Sequence, residues 1–297
     1  MRVNMFKSIL IKTGLAASLL LLANAPSFAQ STVALTAAPT STSLPDGQNV
    51  PMWGYSCGAV TGTGVSCTAM NGSAQTAGVW QPPLITVPSG QPLTITLTNN
   101  LSFTAGSGSN TLPTSLVIVG QLGGGLGAAP ARTPSPPHAV QGTTWPVGGG
   151  TGPADTTNTP PSQPDRVQSF ATQVAVGTPQ ALSWPNLRPG TYLIESGTHP
   201  SIQGPMGLYG VLVVTGAGYP GVSFDTDVAL LMSEIDAVQN RAVDAAVRTS
   251  GFSETNVWSG QAGQCGDLPP SATSDPLTAN TCFRFPFWRY GLNTYAP

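Results

Sequence analysis

The segment PLITVPSGQPLTITLTNNL, residues 83–101, restricts the fold more than any other part of the chain. Leu93, Ile95 and Leu97 alternate with threonines, the period of two that puts one set of side chains on each face of a strand. A helix would instead put Ile95 on the face opposite Leu93 and Leu97. Pro88, Ser89 and Gly90 supply turn chemistry just before this run, and residues 84–87 form a second β-rich run ahead of it. Strand signals return at RVQSFATQVAV (166–176), QALSW (180–184), TYLIES (191–196) and GLYGVLVVTG (207–216), and TSLVIVGQ (114–121) reads as a shorter, continuously apolar strand. Several short strands punctuated by turns specify an all-β sandwich or barrel.

Other segments are expected around this core. Residues 30–49 read as a Ser/Thr-rich start, which places the sandwich at 50–216. Residues 123–163 shift to Gly, Pro, Thr and Ala and read as a long surface loop. Within it LGGGLG (122–127) reads as a flexible loop, because it lacks the Gly-Lys-Ser/Thr ending of a phosphate loop. Residues 217–297 read as an extension. DVALLMSEID (227–236) is expected to be one more strand, followed by a helix over 237–251 with Asp236 as N-cap and Gly251 as stop. Val243 and Val247 share a face of that helix and predict packing against the sandwich. The remainder runs to an aromatic stretch, FRFPFWRYGLNTY (283–295), which calls for burial against something.

Charge and cysteine usage narrow the setting. Charged residues make up 7% of the chain, far below the roughly 25% of ordinary globular chains. Residues 1–29 combine Arg2, Lys7 and Lys12 with the apolar run GLAASLLLLANA and small residues at Ser27 and Ala29, the pattern of a secretory signal peptide cleaved before Gln30. Beyond it stand seven arginines, no lysine and twelve acidic residues. No basic patch suits nucleic acid, and no membrane span is expected after signal cleavage. A periplasmic or secreted location follows. Export makes two disulfides the expectation for four cysteines, with the local pairs Cys57–Cys67 and Cys265–Cys282 favoured among three possible connectivities.

Three motifs, in order, carry a family resemblance. PLITVPSGQPLTITLTNNL, TSLVIVGQ and GTYLIESGTHPSIQGPMGLYGVLVV (190–214) resemble the strand-turn-strand, T-S-L-H-W-H-G and G-T-Y-W-Y-H-S-H…G-L-Y-G of the first cupredoxin domain of multicopper oxidases, the laccase-like family. The resemblance covers roughly residues 50–216. It implies a cupredoxin-like Greek-key β-sandwich, here with a short helix and a disulfide-clipped C-terminal extension. It also implies copper as cofactor, oxidation of a substrate coupled to dioxygen reduction, and further cupredoxin domains as partners. In the family each His-x-His pair presents two imidazoles on one face of a strand. Matched position by position, the first pair falls on Val117 and Val119 and the second on Glu195 and Gly197. Valine and glycine offer no donor, and one carboxylate is a poor ligand for Cu(II).

The remaining candidates are few. SGTHPSIQGPMG is similar to the loop carrying Cys, His and Met in small cupredoxins, with His199 and Met206 suitably placed, but no cysteine precedes His199. His138 and His199, the two histidines of the chain, either form a weak surface metal site with Glu195 or Met206 or are ordinary loop histidines. Glu195 is either a carboxylate with a perturbed pKa or a side chain facing a polar interface. No catalytic residues are assigned. Two accounts of the whole chain stand at this point: a remnant of a longer oxidase, or a one-domain secreted module, non-catalytic and interacting, whose aromatic segment docks on another chain.

Overall fold

A computed structural model describes residues 30–135, 164–216 and 223–252. Two sheets dominate it. The first has strand order β11-β5-β1-β2, from β1 (Ser31–Ser43), β2 (Asn49–Thr61), β5 (Leu93–Asn99) and β11 (Gln180–Trp184). The second has the order β3-β4-β13-β12-β8, from β3 (Ser66–Ala69), β4 (Pro83–Pro88), β8 (Val117–Ile118), β12 (Gly190–Glu195) and β13 (Tyr209–Thr215). Two hairpin-like pairs, β6 (Ser102–Ala105) with β7 (Gly108–Thr111) and β9 (Ala131–Thr133) with β10 (Arg166–Ser169), flank them. The expected all-β sandwich is what the chain forms.

Alternation explains the packing. Leu93, Ile95 and Leu97 are fully buried while their threonine neighbours are partly open. Val33 and Leu35 stand in parallel register with Ile95 and Leu97, and Leu182 and Trp184 pair from the other side with Ile95 and Leu93. Ile85 and Val87 of β4, Leu212 and Val214 of β13 and Ile194 of β12 join the same apolar cluster from the second sheet. Burial of these aliphatic side chains, each worth about 1.5–3 kcal/mol, is the main force closing the sandwich. At the common edge, Cys57 of β2 and Cys67 of β3 form a disulfide, so the predicted local bridge ties one sheet to the other. Cys265 and Cys282 lie outside the described residues.

Several segments differ from the sequence expectation. The sandwich starts at Ser31 rather than at residue 50: β1 lies inside the first sheet, pairing with β2 and β5. Of residues 114–121, Val117 and Ile118 alone join a ladder, because Thr114 and Ser115 turn into a buried polar network and Gly120, at φ 85°, ends the run. The stretch 122–127 is not loose. A Cβ on Gly123 or Gly124 would run into the Trp184 indole, and one on Gly125 into the Thr172 amide, so the glycines let backbone lie directly on that ring. The segment also hydrogen-bonds outward, Gly124 N to Ser183 O and Thr172 N to Gly124 O. Further along the region read as a loop, β9 pairs with β10. Residues 136–163 lie outside the described residues.

Residues 227–236 form no strand. They keep an alternating pattern, but no neighbouring strand offers them a ladder. The helix follows as expected: α2 (Ala237–Val247, after the one-turn α1, Pro200–Gln203) begins with Asp236 Oδ1 accepting from Gln239 N at 3.1 Å. Val243 and Val247 are fully buried, and Gly251 takes φ 77° at the stop. No helix among the described residues is long and apolar enough to cross a membrane, a statement that does not extend to strands.

Candidate functional site

Of the four positions that the resemblance matches to imidazoles, Val117 and Glu195 sit on two neighbouring strands, and Val119 and Gly197 lie just beyond the strand ends. β8 and β12 are antiparallel, with Val117 opposite Glu195 and Ile118 opposite Ile194. Past the ladder's end Val119 N donates to Leu193 O at 2.9 Å. Ile118 and Ile194 point into the core; the alternate residues belong to the opposite face. Val117 therefore stands beside both Glu195 and Gly197, while Val119 lies two residues along, opposite Leu193.

Around residue 197 the space is apolar and filled. A Cβ built on Gly197 would stand 2.5 Å from Val117 Cγ2, 3.2 Å from Ser115 Oγ and 3.4 Å from Ala171 Cβ. Val117 is 8% exposed, so its methyl groups have little room to yield. Backbone at and just past β10 pairs with this segment: Phe170 N donates to Gly197 O and His199 N to Gln168 O. The Val119 side chain, at 43% exposure, carries no ligand atom. Glu195 is half-buried, and burial raises its carboxyl pKa above the ordinary value.

Beneath these positions lies a buried network of hydroxyls and one amide. Gln203, fully buried in α1, donates from Nε2 to Pro113 O at 2.8 Å, and its Oε1 accepts from Thr114 Oγ1 at 2.8 Å and Ser196 Oγ at 2.6 Å. Thr198 Oγ1 lies 2.9 Å from both Ser115 Oγ and Ser169 Oγ. Ser169 Oγ donates to Ala171 O. Tyr55 donates its hydroxyl to Ser115 O at 2.8 Å, and burial, with a smaller contribution from the Glu195 charge, drives its pKa far above the ordinary value. Each of these groups meets partners within the network, so the cost of burying them is offset locally. Sequence reading missed this network. Its trace is Thr114-Ser115 and Ser196-x-Thr198, hydroxyls in strand-end positions where a plain apolar core would carry Val or Leu.

The remaining candidates are separate from one another in character. His199 adopts a left-handed conformation, φ 40° and ψ 58°, at the N-terminal edge of α1, where its carbonyl accepts from Ile202 N and Gln203 N. Met206 is fully buried in the apolar cluster. His138 lies outside the described residues. Among the described residues no group of three or more His, Cys, Asp or Glu is placed to hold a metal ion.

The donor set decides how copper fits. At the four family positions one side chain, Glu195, carries a ligand atom, and the space a fourth ligand would need at residue 197 holds Val117. Cu(II) requires several nitrogen, oxygen or sulfur donors in fixed geometry. The residues at these positions do not fit it.

Comparison with known proteins adds the following. No protein-family model and no curated protein matches the chain. Among solved structures it is similar to a multicopper oxidase from Pseudomonas thermotolerans, 18% identical, covering 64% of this chain and 30% of that one at TM-score 0.34. A copper nitrite reductase from Nitrosomonas europaea is 16% identical over 62% of this chain and 40% of its own, at TM-score 0.31. A multicopper oxidase variant from Aquifex aeolicus is 13% identical over 63% and 27%, at TM-score 0.33. The match thus spans less than half the length of each of these neighbours.

Proposed function

We propose that this chain is an exported cupredoxin-type β-sandwich, the counterpart of the first domain of a multicopper-oxidase-type protein, that does not itself carry out copper-dependent oxidation. The observation that supports this reading most is the close fit of Val117 into the side-chain space of Gly197. A position that merely lost its imidazole would leave a gap; here the neighbouring strand fills it. Beneath it, Ser115, Ser196, Thr198 and Gln203 satisfy one another, which suits a structural interior better than a reactive one. Export is supported by the signal-like residues 1–29 and by the Cys57–Cys67 disulfide, a bond that persists in oxidising compartments.

A second reading, an interaction module, is favoured by one specific feature: Val228, Leu230 and Met232 stand 82%, 78% and 84% exposed on one short stretch. The two readings share the sandwich and differ in what the surface is for. The purified full chain, supplied with Cu(II) and a phenolic dye in an oxygen electrode, is expected to consume no dioxygen beyond the rate of free copper. Turnover that saturates with dye and scales with protein would overturn the non-catalytic reading.

A further inference from the structure

Residues 223–236 leave the sandwich as an extended strip that keeps the alternation of a strand without joining a ladder. Val228, Leu230 and Met232 project outward, while Ala229 and Leu231 between them are partly covered. The strip is anchored at its far end, where Tyr209 donates its hydroxyl to Ser233 Oγ at 2.7 Å and Asp236 caps α2. Exposed Asp225, Asp227 and Glu234 rim the apolar ridge, and the strip contains no basic residue. Three large apolar side chains at successive alternate positions form a contiguous patch of the kind that marks a contact surface.

The rest of the chain contains a segment of matching character. Residues 283–297, FRFPFWRYGLNTYAP, hold Arg284 and Arg289 and no acidic residue. Phe283, Phe285 and Phe287 recur at the same period of two as the ridge. In extended chain two residues advance about 6.6 Å, so three phenylalanines and three ridge residues span equal lengths. Residues 253–282 supply a tether of thirty residues, which reaches up to about 100 Å, farther than any two points of a domain this size.

We propose that the Val228–Leu230–Met232 ridge is the docking surface for this chain's own residues 283–295. The phenylalanines lie across the ridge, and Arg284 and Arg289 meet Asp225, Asp227 and Glu234 at its ends. Hydrogen exchange on the intact chain tests this. Amides of 228–232 are expected to exchange about ten-fold or more slower than free-peptide rates, and the R284E/R289E variant to return them to those rates. Adding D225R/D227R/E234R to that variant restores the protection, because the charge pattern is then reversed on both sides. Met232→Asp, at a position the sandwich does not use, removes protection with both arginines in place. Amides of α2 report that each variant stays folded. Free-peptide rates in the unmodified chain overturn the proposal, as does protection indifferent to R284E/R289E. Protection that rises with protein concentration also overturns it, since a second copy would then be the occupant.

Discussion

Gly197→Ala tests the close packing of residues 117 and 197 with a single methyl group. The new Cβ would stand 2.5 Å from Val117 Cγ2, where carbon atoms rest at about 3.5–4.0 Å. One of the two must therefore move by about 1 Å or more. Ser115 Oγ at 3.2 Å and Ala171 Cβ at 3.4 Å bar the other directions, and moving Ser115 disturbs its contact with Thr198. Overpacking of this kind costs about 1–3 kcal/mol. With relief blocked on two sides we expect about 2 kcal/mol, or a fall in Tm of about 4–8 °C for a domain of this size. Val117→Ala removes the obstructing methyls and is itself destabilising by cavity formation. In the double variant Gly197→Ala should then cost almost nothing, a coupling of about 2 kcal/mol. Urea unfolding monitored by tryptophan fluorescence measures all three variants. A Gly197→Ala protein as stable as the parent, or additive losses in the double variant, would refute the account of residue 197.

Three further outcomes follow from the structure. Gln203→Leu removes the donor to buried Pro113 O and the acceptor shared by Thr114 Oγ1 and Ser196 Oγ, which keep their contact with each other and with Thr198; equilibrium unfolding should show a loss of about 1–3 kcal/mol. Glu195→Gln should stabilise the protein at neutral pH and not at acid pH. Burial raises the folded carboxyl pKa above its unfolded value, so the folded state binds more protons between the two and stability falls as pH rises through that window. The gain of the variant should thus appear above the ordinary pKa of 4.5 and vanish below it; a pH-independent difference would contradict the assigned cause. C57S/C67S opens the staple between β2 and β3 and should lower stability by about 2–3 kcal/mol for a loop this short, with faster amide exchange along that edge.

The sandwich was legible where one face alternates strongly. β5 announces itself through Leu93, Ile95 and Leu97, whereas β1, STVALTAAPTSTS, hides an equally regular burial pattern in small and hydroxyl-bearing residues. The buried positions of β1 are Ser31, Val33, Leu35 and Ala37, two of them small, and the threonines and serines around them make the composition look like a linker. Residues 227–236 err the other way: their alternation is real, but a strand also needs a neighbour, which no local pattern specifies. That Val117 and Glu195 face each other across β8 and β12 is a pairing that the two motifs alone do not specify. Nor do the motifs specify the network below them. Thr114 and Gln203 are 89 residues apart, and only the fold reveals that they share a hydrogen bond. Likewise the glycines at 123–125 signal turns, yet their reason for being glycine is the Trp184 indole some 60 residues on.

The central proposal, that residues 117, 119, 195 and 197 form no copper site, is tested most directly by Cu(II) titration of the purified full chain, followed by calorimetry and electron paramagnetic resonance. The account predicts no tight one-to-one site, and any weak binding unchanged by Glu195→Gln. Stoichiometric, tight copper that is lost on Glu195→Gln would contradict it.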